Sequence, residues 1–418
     1  MNLSDLILLQ NPWWHDPSFV PPEHRLPRRM IASSLLQDIQ NLKQITSLTG
    51  LRRTGKSTLL KQSIGDLLKT GTPAKRILYF SFDQPTVLET PQTIETTLSI
   101  FFDMILKEPL HRIRQPIYIV LDEVQLVPMW QDIVKRYYDL NQKLKFIISG
   151  SAALFLSRHA KESLAGRLLE RQLPPLSFAE YRRLGGTGDF SAYLSFGQFP
   201  ELLEIADPAK KTEYLKDGVI GKILEVDIVK THGIRKIVDF ERLFWALLPN
   251  AGQIIRSTNL MADLAIKKAT LFTYLTILEQ SLLIHKVVNI SGSFRSEKRL
   301  LRKLYPASAN FLSLLPEPVS IGFAAETYAA MVLKQRARQM FLFHERGREI
   351  DFIVPEKKLA IEIKYQSSIR PDDYKTLLSY ITKKRYRGIV FTKYPQSPPP
   401  DDAIRCIPLE DIESCELS

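Results

Sequence analysis

Short apolar runs alternate with amphipathic stretches along the first part of the chain. The apolar runs are typical of buried strands and comprise residues 45–49, 76–82, 117–121 and 145–149. The amphipathic stretches predict helices over residues 30–42, 59–64 and 92–105. Because strands that alternate with helices form parallel sheets, we predict an α/β fold whose core has a parallel sheet, with residues 173–178 as its last strand.

The hydrophobic pattern changes after this core. A helix-turn-helix followed by a β wing is predicted where Leu271, Leu275, Leu278 and Leu282 recur at spacings of four, three and four. Apolar strands then return and predict a small second α/β domain. The predicted parts are an N-terminal arm (1–29), a core (30–185), a helical segment (186–250), a winged helix (251–316) and a C-terminal domain (317–418).

The N-terminal arm is rich in proline and carries Trp13 and Trp14. Its prolines predict an extended conformation over residues 11–30. Two interpretations of the tryptophans remain open: they line an adenine pocket, or they pack on the core.

The turn after the first strand carries the pattern G-x-x-x-x-G-K-S, which is typical of a phosphate-binding P-loop. Glycines let the backbone N–H groups point at phosphate oxygens, and the following helix adds its dipole. Lys56 is expected to reach the β- and γ-phosphates of ATP, and Ser57 to place a hydroxyl on Mg²⁺. The predicted nucleotide-binding residues are Gly50, Leu51, Arg52, Arg53, Thr54, Gly55, Lys56, Ser57 and Thr58.

A carboxylate pair ends the third apolar run, as in a Walker B element. Asp122 is predicted to hold Mg²⁺ directly or through water, and Glu123 to polarise the attacking water. Ser149 and Ser151 end the next strand, where a polar side chain contacts the γ-phosphate or the water, or only forms a turn.

One arginine is predicted to complete the ATP site of a neighbouring subunit. Arg167 is the first candidate, and Arg158 and Arg171 compete with it. The alternative is an ordinary surface arginine.

The predicted winged helix has a basic surface. Residues 286–304 carry six basic side chains and one acidic side chain, so their local charge is 6 − 1 = +5. DNA phosphates are predicted to contact Lys267, Lys268, Lys298 and Arg299. The alternative is a winged helix that only packs on the core.

The C-terminal domain contains the pattern D…E-x-K within apolar strands. Ten residues separate Asp351 from Glu362, and a hairpin is expected to bring their carboxylates together to hold Mg²⁺ or Mn²⁺. Lys364 is expected to orient or activate a water, and Glu326 to add a carboxylate from a helix. The alternative is a retained fold in which Glu362 and Lys364 form a salt bridge.

Composition narrows the class of protein. The 57 basic and 45 acidic residues give a net charge of 57 − 45 = +12, which favours a polyanionic partner. No apolar run reaches membrane-spanning length, and the first ten residues lack a basic secretory region. Two cysteines, Cys406 and Cys415, are too few for a zinc site or a disulfide framework, which fits a reduced, cytoplasmic compartment. We therefore expect a cytoplasmic location and no membrane insertion.

Taken together, these motifs resemble a family of prokaryotic AAA-type ATPases that join a P-loop core to a winged helix and a restriction-endonuclease-like domain of PD-(D/E)XK type. The resemblance covers nearly the whole chain and rests on residues 50–57, 121–125, 149–151, 164–167, 349–352 and 361–364. The loop before Thr54 departs from the usual residues with Arg52 and Arg53. The resemblance implies nucleotide roles for Lys56, Ser57, Asp122 and Glu123, and nuclease-like roles for Glu326, Asp351, Glu362 and Lys364.

The function predicted from these features is ATP hydrolysis by an AAA-type protein that acts on or with DNA. A homo-oligomer, with a hexamer as one option, is expected. One alternative is a switch ATPase whose nucleotide state controls binding of a protein or promoter while the nuclease fold is inert. Another is an ATP-dependent protein remodeller.

Overall fold

The computed structural model describes residues 2–16, 18–83, 91–151, 162–234, 236–290, 302–317, 319–396 and 403–417. The chain forms two compact units. Unit 1 is Met1–Pro174 with Val226–Gly233, and unit 2 is Pro175–Glu225 with Ile234–Ser418. Within the described ranges, no helix has the length and apolar character needed to cross a membrane.

A parallel five-stranded sheet forms the centre of unit 1. Its strands are β1 (Ile45–Thr49), β2 (Ile77–Ser81), β3 (Ile117–Asp122), β4 (Leu144–Gly150) and β5 (Leu168–Gln172). Their order is β2-β3-β4-β1-β5, and each neighbouring pair is parallel. The predicted parallel α/β sheet is therefore confirmed. Because parallel strands share one carboxyl edge, the loops after β1 and β3 emerge together there.

The prediction that residues 173–178 form the last strand is wrong. The last strand is β5, which lies at the edge of the sheet and is only partly buried. Its polar residues Glu170, Arg171 and Gln172 hide the strand in the hydrophobic pattern. Pro174 and Pro175 lack the N–H groups that a strand needs, so the chain leaves the sheet there.

The N-terminal arm protects the opposite edge strand, β2. Asn11 accepts a hydrogen bond from the N–H of Tyr79 (2.7 Å) and donates to its carbonyl (2.8 Å). Gln10 forms the same pair of bonds with Ser81. Side-chain amides thus replace the missing neighbouring strand, which keeps the edge from pairing with another chain.

The tryptophans of the arm belong to the core. Trp13 and Trp14 are 3% and 7% exposed, and each indole N–H donates to the carbonyl of Ile77. The predicted extended arm is wrong, because 3-10 turns at Pro12–Trp14 and Pro22–Arg25 fold it onto unit 1.

Unit 2 contains a mixed eight-stranded sheet. Its strands are β6 (Ile254–Ile255), β7 (Ile284–Asn289), β8 (Arg302–Pro306), β9 (Phe341–Glu345), β10 (Arg348–Val354), β11 (Leu359–Lys364), β12 (Arg387–Thr392) and β13 (Ile404–Pro408). Their order is β13-β12-β11-β10-β9-β7-β8-β6. Since β7 pairs with β9, strands of the predicted winged helix and of the predicted C-terminal domain share one sheet.

The helices, in chain order, are α1 (Leu3–Gln10), α2 (Ala32–Asn41), α3 (Lys56–Lys69), α4 (Pro91–Ile100), α5 (Trp130–Leu140), α6 (Phe178–Arg183), α7 (Phe190–Phe196), α8 (Pro208–Glu213), α9 (Ile228–His232), α10 (Ile237–Leu247), α11 (Ser257–Leu264), α12 (Lys268–Gln280), α13 (Ile321–Arg336) and α14 (Pro371–Lys384). Two π-helical segments, Phe101–Leu106 and Tyr214–Asp227, extend α4 and precede α9. Helices α11 and α12 occur where the helix-turn-helix was predicted. The winged-helix and nuclease-like assignments, and the five-part division, remain predictions.

Candidate functional site

The loop between β1 and α3 has the backbone that its two glycines permit. A Cβ at Gly50 would stand 2.3 Å from the carbonyl oxygen of Leu173, so a larger residue would displace the backbone. Gly55 has φ +93°, a left-handed conformation that side chains disfavour. Helix α3 begins directly afterwards at Lys56, which leaves the N–H groups of its first turn available to an anion.

Lys56 lies inside this loop and is 5% exposed. Its ammonium donates to the carbonyls of Gly50 (3.2 Å) and Leu51 (3.1 Å) and stands 3.7 Å from a carboxylate oxygen of Glu123. The loop therefore holds a buried cation against the end of β3.

Asp122 ends β3 and is 1% exposed. Its carboxylate accepts hydrogen bonds from the hydroxyls of Tyr79 (2.9 Å), Ser149 and Ser57. Burial, and then the charge of Glu123, raise the pKa of Asp122, while these hydroxyls oppose the rise. Three hydroxyl donors from three separate segments thus hold one buried carboxylate.

Glu123 follows in a left-handed conformation with φ 55°. This is uncommon for a residue with a side chain and is a form of backbone strain found often at functional sites. Its N–H donates to the hydroxyl of Ser149 (3.3 Å), and Gln125 donates to its carboxylate (2.6 Å). Ser149 therefore contacts both members of the carboxylate pair, whereas the Ser151 hydroxyl is buried without a hydrogen-bond partner in the described residues.

The residues predicted to hold Mg²⁺ fit that role. The Ser57 hydroxyl is hydrogen-bonded to the Asp122 carboxylate, so the two oxygen ligands are neighbours. Mg²⁺ in phosphate-binding sites takes one or two such oxygens and completes its shell with phosphates and water. The side chains that would hold the ion are Ser57 and Asp122.

Sequence patterns missed two arginine contacts that support the loop. Arg29 is 6% exposed and donates to the carbonyl of Thr54 (2.6 Å). Arg52 forms a bidentate pair with Asp227, with bonds of 2.8 and 2.7 Å. Burial raises the pKa of Asp227, and Arg52 opposes that rise. Asp227 lies 175 residues from Arg52, and no local pattern marks such a partner.

Arg167 lies at the amino edge of the sheet, opposite the carboxyl edge that carries the phosphate-binding loop. Its carbonyl accepts a bond from the N–H of Ile45 at the start of β1, about 13 Å along the strand from the phosphate-binding loop. Its guanidinium pairs with Asp139 (2.9 and 3.2 Å). Arg167 is thus not part of the nucleotide site of its own chain. Arg171 pairs with Asp38 (2.7 Å), and Arg158 lies outside the described residues.

Two of the four residues predicted to contact DNA lie within the described residues. Lys267 and Lys268 are exposed at the start of α12. Lys298 and Arg299 lie outside the described residues.

Strands β8, β10 and β11 and helix α13 bring a second set of charged residues together in unit 2. Lys303, on β8, is 2% exposed. Its ammonium lies 2.8 Å from Glu326, 2.6 Å from Glu349 and 3.0 Å from Asp351. The second oxygen of Asp351 accepts the N–H of Ile363 at 2.9 Å. We name Lys303, Glu326, Glu349, Asp351, Glu362 and Lys364 the carboxylate cluster.

Glu362 and Lys364 lie on one face of β11 and pair at 2.8 Å. Burial, and then the charge of Asp351, raise the pKa of Glu362 to about 8; the same two causes raise that of Glu326 to about 7. Burial opposes a charged Asp351, yet Lys303 lowers its pKa.

The carboxylate cluster differs from the predicted metal site. Glu326, Asp351 and Glu362 come together as expected, but the ammonium of Lys303 lies among them. In the part of the chain that the structure describes, no three His, Cys, Asp or Glu side chains are arranged to hold a metal ion. Lys303 stands in a basic run of the sequence, and nothing in that run marks it as the partner of these carboxylates.

A family model described as an AAA domain matches residues 42–182. This part of the chain is therefore similar to an AAA domain. A second family model, a domain of unknown function, matches residues 187–307. The AAA domain thus contains β1 to β5 and every residue of the phosphate-binding loop.

Relatives extend over most of the chain. An uncharacterized protein of Haemophilus influenzae is 24% identical over 373 residues, 83% of this chain and 88% of the relative. An uncharacterized protein of Methanocaldococcus jannaschii is 25% identical over 354 residues, 77% of this chain and 75% of the relative. A Walker-type ATPase of Pyrococcus abyssi covers 72% of this chain and 99% of its own at 15% identity and a TM-score of 0.44, too low to carry a functional argument.

We predict that the Arg52–Asp227 pair stabilises unit 1. Asp227→Ala leaves the guanidinium without its buried partner and should lower the free energy of unfolding by about 2 kcal/mol. Tryptophan fluorescence during urea unfolding measures this, since Trp13, Trp14 and Trp130 are buried in unit 1. The matched control is Asp139→Ala, which removes the partner of the more exposed Arg167 and should have little effect. Equal effects of both variants would contradict the prediction.

Proposed function

We propose that this protein hydrolyses ATP in a Mg²⁺-dependent reaction and acts on or with DNA. One observation carries the ATPase part: Lys56, Ser57, Asp122 and Glu123 converge at the carboxyl edge of a parallel sheet. A phosphate cradle, a hydroxyl–carboxylate pair and a second carboxylate as the candidate general base are the parts that phosphoryl transfer to water needs.

Each residue has a distinct task in this proposal. The loop N–H groups and the Lys56 ammonium bind the β- and γ-phosphates, which are stronger acceptors than the carbonyls that Lys56 contacts. Glu123 accepts a proton from the attacking water. Ser149 is a positioning residue, because it holds Asp122 and the backbone of Glu123. Mg²⁺, when bound, neutralises charge that develops on the phosphates.

We predict that two substitutions separate binding from hydrolysis. Lys56→Ala should abolish ATP binding, because it removes the cation of the cradle. Glu123→Gln should retain binding and lose hydrolysis, because only the proton acceptor is removed. Fluorescent-nucleotide titration and phosphate release measure the two steps. Hydrolysis at the native rate by Glu123→Gln would show that another group activates the water.

We also propose a homo-oligomer in which a neighbour's arginine, with Arg167 as first candidate, reaches the ATP site. The position of Arg167 at the opposite edge of its own sheet supports a role in trans rather than in cis. Mixing Arg167→Ala with Glu123→Gln subunits should restore part of the hydrolysis at mixed interfaces. Light scattering with ATP and Mg²⁺ that finds only monomers would contradict the oligomer.

DNA binding is proposed through the predicted winged helix. Exposure of Lys267 and Lys268 at the start of α12 supports this, as does the net charge of +12.

We predict a salt-dependent affinity for DNA. If roughly five phosphates are neutralised, log K should fall against log salt with a slope of about −4 to −5. Charge reversal at Lys267 and Lys268, or at Lys298 and Arg299, should flatten this slope. Reversal at Lys210 and Lys211, on α8, is the control and should not change it. Absence of binding at low salt would favour a protein partner.

The second candidate is a nucleotide-controlled switch that binds a protein partner or a promoter with an inert nuclease fold. The ammonium of Lys303 among the nuclease-like carboxylates favours this alternative. Slow turnover with tight retention of ADP would support the switch, whereas Mn²⁺-dependent cleavage lost in Asp351→Ala and Lys364→Ala would support an active nuclease.

A further inference from the structure

Lys303 is the most deeply buried charged residue of the carboxylate cluster. Strand β8 places it between β6 and β7, where it faces Ile254 on one side and Val287 on the other. Tyr305, two residues further, points to the same face, and its hydroxyl donates to Glu326 at 2.6 Å. Lys303 and Tyr305 therefore approach Glu326 from one face of β8.

The charges of the carboxylate cluster do not balance. Four carboxyl groups, from Glu326, Glu349, Asp351 and Glu362, lie beside the ammoniums of Lys303 and Lys364, so the cluster would have a charge of −4 + 2 = −2 if all of them were ionised. The raised pKa values of Glu326 and Glu362 reflect their burial and this excess of negative charge. Buried carboxylates are costly unless they are paired, hydrogen-bonded or bound to a cation. Lys303 alone contacts three of the four carboxylates, so its ammonium supplies the positive charge that a bound metal ion supplies in a carboxylate site.

A second, independent feature points to a cation. Glu362 is 7% exposed, and its Oε2 has no hydrogen-bond partner in the described residues. Its Oε1 is held by Lys364, and the charge of Asp351 is near enough to raise the pKa of Glu362. An unpartnered, buried carboxylate oxygen beside a second carboxylate is half of a divalent-cation site.

We propose that Lys303 is an internal counter-ion that occupies the cation position of the carboxylate cluster and so closes this site to divalent metal ions. The site opens only when Lys303 is withdrawn, which requires β8 to move relative to α13 and β10. In this way a strand of the predicted winged helix controls the nuclease-like carboxylates. Every residue of the cluster lies in unit 2, so the proposal does not depend on ATP hydrolysis.

The test measures Mn²⁺ binding to the whole chain in the absence of nucleotide. Electron paramagnetic resonance reports the concentration of free Mn²⁺. Lys303→Met keeps the aliphatic stem and removes the charge. Loss of the repelling ammonium should tighten Mn²⁺ binding at the cluster by at least about tenfold. Adding Glu362→Gln should abolish the gained site. The matched control is Lys286→Met on the neighbouring strand β7, which removes an ammonium paired with Glu279 of α12 and should gain no site.

Lys303→Met also removes the partner of three carboxylates and so risks misfolding. The double variant Lys303→Met with Glu349→Gln removes one charge of each sign and retains Glu326, Asp351 and Glu362. Mn²⁺ should raise the melting temperature of this double variant. In the native protein, Glu362→Gln should not change the effect of Mn²⁺ on the melting temperature. Glu362-dependent Mn²⁺ binding by the native protein, or no gain of binding in either Lys303 variant, would overturn the proposal.

Discussion

Asp122 carries a carboxylate that is almost fully buried at the end of β3, and its neighbours have to satisfy it. The donors come from β2, β4 and the start of α3, so strand order and phosphate-loop position are both constrained by one side chain. A parallel sheet meets this constraint because its carboxyl edge gathers consecutive loops in one place. The catalytic arrangement that we propose depends on this buried group.

In unit 2, too, buried carboxylates need partners, and here the partner is a lysine. Carboxylates from α13, β10 and β11 are buried together, and a lysine from β8 supplies the compensating charge. This interaction ties together strands that the sequence assigns to two separate predicted domains. A salt bridge of this kind is expensive to break by removing one partner, because the remaining charges stay buried. Because β8 carries Lys303, the position of this strand directly affects the carboxylates.

Features encoded by contiguous residues could be predicted from the sequence. The phosphate-binding loop is one nine-residue stretch whose glycines have defined backbone roles, and Asp122 and Glu123 directly follow an apolar strand. Contacts between distant segments could not be predicted. Tyr79 looked like one more apolar strand residue, and Asp227 meets Arg52 only because the chain returns to unit 1. Strand β5 was missed because an edge strand needs fewer apolar residues than a central one.

In the function that we propose, ATP hydrolysis at the site of Lys56 and Asp122 is coupled to DNA. The most direct measurement is the steady-state ATPase rate with and without single-stranded, duplex and branched DNA at two salt concentrations. We expect at least one form of DNA to raise the rate, and the increase to be smaller at the higher salt concentration. An ATPase rate that no form of DNA changes at either salt concentration would contradict the proposed coupling.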